Sequence, residues 1–254
     1  MAGVALIAGA GVPVALALGL SMTALQCSIG ALNDLHDAPN DGGRQPPKPI
    51  PSGLVSPRQA LVVAVGAAVL GLVTARAVGP AVLGLAIVVL VIGYGYDLLA
   101  KGTAWSWLPF ALGVPVLPVY GWLGAVASVP PFFLALVPMA VLAGAALAIA
   151  NTRADLERDL AAGTESIAVR LGDERAWRVH VGSWLVVVVV GLAWLVGARA
   201  PLAASAAVAL ACVVLLSVAA LSRRASQGGL ERAWEAEAVA VAVALAAWLA
   251  AVLA

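Results

Sequence analysis

Long apolar stretches alternate with shorter polar connections along the whole chain. A bilayer core about 30 Å thick is crossed by a helix of about 20 apolar residues. About eight stretches reach this length, at 3–28, 59–76, 79–97, 107–126, 131–150, 180–198, 201–220 and 236–254. They are continuously apolar and rich in Ala, Leu and Val, which favours membrane helices over barrel strands. The pattern therefore predicts an all-α, polytopic bundle of about eight transmembrane helices, formed as one domain over residues 1–254.

The composition excludes a soluble protein. Of the 254 residues, 63% are hydrophobic and 11% are charged, whereas a soluble domain is about half apolar and a quarter charged. The mean hydropathy of +1.04 agrees with this interpretation. The formal net charge of +1 creates no field that would attract a polyanion. We therefore expect an integral, multi-pass membrane protein that is embedded in the lipid bilayer and binds no nucleic acid.

The charged residues are sorted between the connections. Except for Arg76 and Arg199, the 14 Lys and Arg residues and the 13 Asp and Glu residues all follow the first, third, fifth or seventh predicted helix. The positive-inside rule assigns these connections to the cytoplasmic face. Acidic residues orient helices only weakly, so their gathering favours a functional site on that face. We expect its loops at about 29–58, 97–106 and 151–179, and the plasma membrane of a prokaryote as the location.

The first acidic block lies at Asn33–Asp41 and contains Asp34, Asp37 and Asp41. If the first predicted helix continues into this block, the i, i+3, i+7 spacing puts the three carboxylates on one face. Pro39 breaks the last turn, which would place Asp41 just beyond the helix. Carboxylates packed together repel one another unless a cation joins them, and hard oxygen ligands suit Mg²⁺. Because Mg²⁺ is usually held by one or two carboxylates plus substrate phosphates, the block predicts a metal–diphosphate site.

A second block at Asn151–Asp159 follows the fifth predicted helix. Asp155 and Asp159 are four residues apart and would face one way on a helix, with Asn151 one turn earlier. The two blocks are four helices apart, which suggests a parallel duplication of two four-helix halves. Between them lie Arg44, Lys48 and Lys101, and basic side chains of this kind bind phosphate oxygens.

These residues resemble the signatures of the UbiA superfamily of intramembrane prenyltransferases. Asn33–Asp41 matches the pattern Asn-Asp-x-x-Asp-x-x-x-Asp of the first signature without a gap, and Asp155–Asp159 looks like the second. Further similarity lies in the basic tract, the middle element and the stretch after the second block, at Arg44 to Gly53, Tyr96 to Lys101 and Gly163 to Gly172. The family usually has nine helices, with two before the first signature. By this resemblance we expect either a member that is shortened at its N-terminus or a protein whose true start lies upstream of Met1.

The resemblance implies a UbiA-like fold and a Mg²⁺-dependent enzyme. It would transfer a prenyl group from an allylic prenyl diphosphate to a small or lipid acceptor, such as an aromatic quinone precursor, and release diphosphate. The metal ligands implied are Asp34, Asp37, Asp41, Asp155 and Asp159. The residues implied for diphosphate binding are Asn33, Arg44, Lys48, Lys101, Asn151 and Arg158. The catalytic residues implied are Asp37, Asp155 and Lys101.

Two other functions remain open on the sequence. A UbiA-like terpene cyclase would use the same carboxylates without an acceptor. A polytopic transporter is the alternative from another class, but its ion-binding acids would lie near the middle of a span, and the sequence predicts none there. His180, at the start of the sixth predicted helix, has no evident partner in the sequence.

Overall fold

The computed structural model describes residues 1–39, 41–42 and 47–254. Within these ranges the chain is helical and contains no β-strand, which confirms the all-α prediction. The helices are α1 Ala2–Ile7, α2 Val12–Asp37, α3 Pro57–Val78, α4 Pro80–Gly95, α5 Leu108–Leu123, α6 Phe133–Ala154, α7 Leu156–Ala162, α8 Ile167–Leu171, α9 Asp173–Gly197, α10 Leu202–Leu221 and α11 Gln227–Leu253. A π-helical turn at Tyr96–Ala100 continues α4, and a 3₁₀ turn at Ser222–Arg224 continues α10.

Seven of the helices in the described ranges are long and apolar enough to cross a membrane, namely α2, α3, α4 with its π-helical turn, α6, α9, α10 with its 3₁₀ turn, and α11. The fourth predicted span corresponds to α5, which has 16 residues. At 1.5 Å per residue, α5 is about 24 Å long and falls short of a bilayer core of about 30 Å. Many large apolar side chains of α3 are exposed, including Val62 at 71% and Val73 at 62%. Such surfaces suit contact with lipid, and the chain is an integral membrane protein.

The first predicted span, at 3–28, has the wrong boundaries. The structure divides it into α1 and α2, and α2 begins at Val12 and continues to Asp37. Gly9 adopts a φ of 91° between them, a conformation that glycine accepts without steric cost. Pro13 lies in the first turn of α2, where its missing N–H is not needed. The first signature is therefore reached inside a helix rather than in a loop.

Two other helices begin earlier than predicted because each starts with a polar turn. Helix α9 begins at Asp173 and α11 at Gln227, whereas the apolar patterns begin at 180 and 236. As a result Glu237 lies inside α11 and is fully buried. The expectation that every acidic residue lies in a connection or at a helix end is wrong at this residue.

Packing divides the chain into two compact units, and the first comprises residues 1–99 and 116–129. Its buried core includes Leu18, Leu25 and Tyr120. Ser21 Oγ donates to the carbonyl oxygen of Gly71 at 2.7 Å and lies 2.6 Å from Tyr120 Oη. This hydrogen bonding joins α2 to α3 and α5, because Ser21 lies in α2, Gly71 in α3 and Tyr120 in α5.

The second unit comprises residues 100–115 and 130–254. Its core is formed by Ala143, Trp184 and Leu215 with their apolar neighbours. Trp248 Nε1 donates to the carbonyl oxygen of Gly191 at 2.9 Å, which joins α11 to α9. Gly144 of α6 lies directly against the carbonyl group of Phe110. A side chain at this position would overlap with the backbone.

The second unit also contains a buried polar cluster. His180 Nε2 of α9 lies 2.7 Å from Glu237 Oε2 of α11, and both side chains are fully buried. Trp184 Nε1 is 3.0 Å from each of these two atoms and donates to the pair. The sequence pattern gave His180 no partner, and the structure corrects that. The contact depends on two helices that are more than 50 residues apart along the chain.

Candidate active site

The first acidic block is placed by the C-terminal end of α2. Asp34 and Asp37 lie in its last turn. The backbone N–H of Asp41 donates to the carbonyl oxygen of Asp37 at 3.0 Å. Asp41 is buried, with 7% of its surface exposed. The end of α2 therefore places Asp34 and Asp37, and a backbone hydrogen bond links Asp41 to that end.

Lys48 joins two of these carboxylates. Its ammonium nitrogen lies 2.5 Å from Asp34 Oδ1 and 4.0 Å from Asp41 Oδ2. A single cation thus already lies within reach of both acidic side chains. Asp37 lies beside His36, whose Nδ1 is 3.6 Å from Asp37 Oδ1. Lys48 of the basic tract therefore forms one local cluster with Asp34 and Asp41 in the first unit.

Asp97 is a residue of this cluster that the sequence analysis did not single out. Its carboxylate is buried, with 2% exposed, and Asn33 Nδ2 donates to its Oδ1 at 2.8 Å. The available signal was its position directly after Tyr96, in the Tyr96–Lys101 element that resembles the family. An acidic residue at the end of an apolar span is costly to bury unless it has a partner.

The second acidic block lies at a break between two helices. Asp155 ends α6, with φ −96° and ψ 1°, and α7 begins at the next residue. Asp155 thus precedes α7 as its N-cap residue, and Asp159 lies in the first turn of that helix. Backbone bonds still bridge the break, because Asp155 N–H donates to Asn151 O at 3.3 Å and Asp159 N–H donates to Asp155 O at 2.9 Å. The helical spacing of the block is kept although the helix is interrupted.

Arg158 pairs with the acidic residues around it. Its Nη1 lies 2.9 Å from Asp155 Oδ1, and its Nη2 lies 3.5 Å from Glu231 Oε1. Arg153, in the same block, is buried and bonds instead to Asp173 Oδ1 at 2.8 Å and to Ser222 Oγ at 3.2 Å. These two arginines therefore differ in accessibility, and Arg158 is the more accessible of the two.

Lys101 lies in an exposed turn of the second unit. The neighbouring carbonyl oxygen of Gly102 accepts a hydrogen bond from the N–H of Glu165 at 3.0 Å. Thr164 in turn donates to the carbonyl oxygen of Asp159, from its N–H at 3.0 Å and from Oγ1 at 3.1 Å. The turn at Lys101 is thus connected through two hydrogen-bonded residues to the second acidic block.

Two further predicted site residues remain. Asn151 lies in the last turns of α6 and is half-buried. Arg44 lies outside the described residues. Over the described ranges, no three His, Cys, Asp or Glu side chains converge closely enough to hold a metal ion by themselves. The carboxylates nevertheless fit Mg²⁺, because one or two acidic ligands suffice when substrate phosphates complete its coordination shell. The Lys48 ammonium group shows that the carboxylates of Asp34 and Asp41 can both lie near one cation.

Sequence comparison extends these observations. The profile of the UbiA prenyltransferase family matches residues 1–240. A digeranylgeranylglyceryl phosphate synthase from Methanopyrus kandleri is similar to this chain, with 34% identity over 179 residues. The matched region covers 68% of this chain and 64% of that protein. The chain thus spans less than two thirds of the length of this curated relative.

The fold is similar to that of solved UbiA homologs. The apo structure of a homolog from Aeropyrum pernix K1 has a TM-score of 0.74 and 20% identity, covering 96% of this chain and 92% of that one. A homolog from Archaeoglobus fulgidus bound to GPP and Mg²⁺ has a TM-score of 0.71 and 19% identity, covering 97% and 93%. At these identities the likeness establishes the fold.

Proposed function

The chain belongs to the UbiA prenyltransferase family, and on this basis we propose that it transfers a prenyl group from an allylic prenyl diphosphate to a small or lipid acceptor, with release of diphosphate. The observation that carries the proposal is the cluster of Asp34, Asp41 and Lys48 at the end of α2. Acidic side chains can bind the metal ion, and a nearby basic side chain can bind the diphosphate oxygens. The apolar helices of the same chain suit the hydrocarbon part of the donor.

Mg²⁺ is the proposed cofactor. When bound, it would neutralise part of the negative charge that develops on the diphosphate as it leaves. Asp34, Asp37 and Asp41 would hold it in the first unit, and Asp155 and Asp159 would hold a second ion in the second unit. The homolog from Archaeoglobus fulgidus that was solved with GPP and Mg²⁺ supports this cofactor.

The basic and amide side chains would bind the diphosphate. Lys48, Lys101 and Arg158 would contact phosphate oxygens as charged donors, and Arg44, Asn33 and Asn151 complete the proposed set. Arg158 is already a partner of Asp155, so it would turn from that carboxylate toward the phosphate when the donor binds. These contacts strengthen as charge moves onto the leaving group, which is how they would accelerate the reaction.

The reaction itself breaks one bond and forms one. The allylic C–O bond breaks, and its electron pair leaves with the diphosphate oxygen. The acceptor nucleophile then forms a bond to the allylic carbon and loses a proton. Apolar side chains would keep water from the allylic cation until the acceptor attacks. Asp37, Asp155 and Lys101 are the residues proposed to act at this step, because each would face the leaving group or its metal.

The acceptor is proposed from the curated relative. A protein named as a digeranylgeranylglyceryl phosphate synthase makes a prenylated glyceryl phosphate, so a prenylated glyceryl phosphate lipid is the first acceptor to test. The acidic loops are proposed to face the cytoplasm, and the membrane is proposed to be a prokaryotic plasma membrane, since the basic residues follow alternate helices.

The proposal is tested by diphosphate release from purified protein in lipid vesicles. The donors are GPP, farnesyl diphosphate and geranylgeranyl diphosphate, each with Mg²⁺ or with EDTA, and each with or without a lipid extract as the acceptor pool. Release that requires both Mg²⁺ and the extract supports a prenyltransferase. Release with Mg²⁺ alone would instead support a UbiA-like cyclase, and no release from any donor would contradict the proposal.

A further inference from the structure

The buried carboxylate of Asp97 has no role in the reaction proposed above, yet it contacts the first residue of the acidic block. Only 2% of Asp97 is exposed, and Asn33 Nδ2 donates to its Oδ1 at 2.8 Å. A buried carboxylate is kept in a membrane protein at a considerable energetic cost. Its position beside Asn33 therefore calls for a functional reason.

The backbone around Asp97 departs from a regular helix. Helix α4 ends at Gly95, and the next five residues form the π-helical turn Tyr96–Ala100. Within this turn Asp97 is buried, whereas Leu98 is 51% exposed and Leu99 is 81% exposed. π-helical turns are rare and occur frequently at functional sites. This turn directs a charged side chain inward and two apolar side chains outward, the reverse of their usual preference in water.

Contacts between α2 and α4 fix the geometry of this pair. One turn before Asp97, Tyr94 Oη lies 2.7 Å from Ser28 Oγ of α2. Gly93 packs against Ile29, and a Cβ at Gly93 would lie 2.6 Å from Ile29 Cγ1. The absence of a side chain at Gly93 thus allows the close approach. The two helices therefore hold Asn33 and Asp97 in register at the end that carries the acidic block.

The hydrogen bond determines which way the Asn33 amide faces. An ionised carboxylate accepts hydrogen bonds and donates none. The NH₂ group of Asn33 must therefore face Asp97, and the amide oxygen must face elsewhere. An amide oxygen is a neutral ligand or hydrogen-bond acceptor of the kind that hard cations use. A carboxylate that hydrogen-bonds to a metal ligand and orients it commonly raises the affinity of the site for the metal.

We propose that Asp97 is a positioning residue of the first acidic block: it holds the Asn33 amide so that its oxygen serves the metal–diphosphate site. This inference rests on the proposed function, because it assumes that the block binds a metal with diphosphate. Asp97 acts through Asn33 and does not itself touch the donor.

The test is direct binding of Mn²⁺, measured by electron paramagnetic resonance on purified protein with inorganic diphosphate present. Asp97→Ala is expected to weaken Mn²⁺ binding about 10-fold or more. Asp97→Asn keeps an acceptor oxygen and is expected to recover most of that loss. Leu99→Ala is the matched control, because it shortens a side chain of the same π-helical turn that is 81% exposed, and its Mn²⁺ affinity should equal that of the wild type.

A double-mutant cycle separates positioning from a general structural effect. If Asp97 acts through Asn33, the double variant Asn33→Ala with Asp97→Ala should bind Mn²⁺ no more weakly than Asn33→Ala alone. The exchanged pair Asn33→Asp with Asp97→Asn restores an amide–carboxylate contact and should bind more tightly than Asn33→Asp alone. Independent losses of Mn²⁺ affinity that multiply in the double variant would overturn the proposal. If Asp97→Ala fails to fold, the exchanged pair is the test, and an exchanged pair without recovery would overturn the proposal.

Asp34→Ala distinguishes this inference from the proposed function. If Asp34→Ala binds Mn²⁺ with the stoichiometry and affinity of the wild type, the first block is not a metal site, and both the metal ligands proposed there and the positioning role of Asp97 are overturned. If Asp34→Ala loses Mn²⁺ binding while Asp97→Ala keeps wild-type affinity, the metal site stands and only the positioning role of Asp97 is wrong.

Discussion

Lys48 is the counter-charge that allows the carboxylates of the first block to lie together. Its ammonium group contacts Asp34, and Asp41 is 4.0 Å away. About a third of the Lys48 and Asp34 side chains is exposed, so solvent screens the pair and it contributes little to the free energy of unfolding. Its value is local, because it reduces the repulsion between carboxylates and supplies a cation for the proposed diphosphate.

At the residue scale, the central prediction concerns one carboxylate from each block. Asp37→Asn and Asp155→Asn should each lower the rate of diphosphate release by about 100-fold or more, because each removes a charge that would stabilise the leaving group. Both variants should remain folded in detergent. Release is measured with Mg²⁺ and a lipid acceptor, and folding is followed by size-exclusion chromatography.

The control for this pair is Glu157→Gln. Glu157 is exposed and lies in α7 between Asp155 and Asp159, so its substitution changes the local charge without removing a proposed ligand. Its rate should stay within about twofold of the wild type, in line with a neutral surface substitution. Wild-type rates in both Asp37→Asn and Asp155→Asn would refute the site assignment.

The membrane helices could be predicted from the sequence more accurately than the residues at which they begin. Seven of the eight predicted spans recur as long apolar helices in the described ranges, because lipid requires continuous apolar residues. The start of α2 was missed because Gly9 and Pro13 are compatible with an apolar stretch, although Gly9 separates α1 from α2 and Pro13 lies in the first turn of α2. The early starts of α9 and α11 were missed because their first turns are polar.

The candidate site was predictable in its motifs, and the family resemblance drawn from them is confirmed. The contacts of Asp97 with Asn33 and of His180 with Glu237 could not be predicted, because each joins residues that are distant in the sequence. A single sequence carries no signal for such pairing. The break at Asp155 was also hidden, because the i, i+4 spacing survives it.

Close packing within the second unit predicts an effect of Gly144. A Cβ at this position would overlap with the carbonyl group of Phe110, and backbone cannot move aside as a flexible side chain can. Gly144→Ala should lower the free energy of unfolding by about 1–3 kcal/mol, as measured by denaturant titration in detergent. Gly182→Ala is the control, because no atom lies within 4 Å of its Cβ position. A Gly144→Ala variant with the same free energy of unfolding as the wild type would contradict the described packing of α6.

The buried cluster between α9 and α11 predicts a larger effect. Glu237→Ala leaves His180 and Trp184 without their shared acceptor, and removing one partner of a buried pair costs about 3–5 kcal/mol. Glu237→Gln retains an acceptor oxygen and should cost less. Glu235→Ala, at an exposed position two residues earlier in α11, should change the free energy of unfolding by less than about 0.5 kcal/mol. Equal stability of Glu237→Ala and Glu235→Ala would argue against the pair.

For the whole molecule, the distribution of basic residues predicts the orientation in the membrane. Ser52 lies in the connection between α2 and α3, and Ser128 lies in the connection between α5 and α6. Both are exposed. In a variant with Cys27 and Cys212 replaced, a membrane-impermeant thiol reagent should label Ser128→Cys in intact cells, and Ser52→Cys only in inverted vesicles. The opposite pattern would place the acidic loops outside the cytoplasm.

The most direct test of the account follows both products of one reaction. Purified protein in lipid vesicles is given Mg²⁺, a glyceryl phosphate lipid acceptor and an allylic diphosphate labelled in its prenyl carbon. The account predicts that one labelled prenyl group enters the lipid for each diphosphate released, and that EDTA abolishes both. Diphosphate release without label in the acceptor lipid, or transfer that persists in EDTA, would contradict a metal-dependent prenyltransferase.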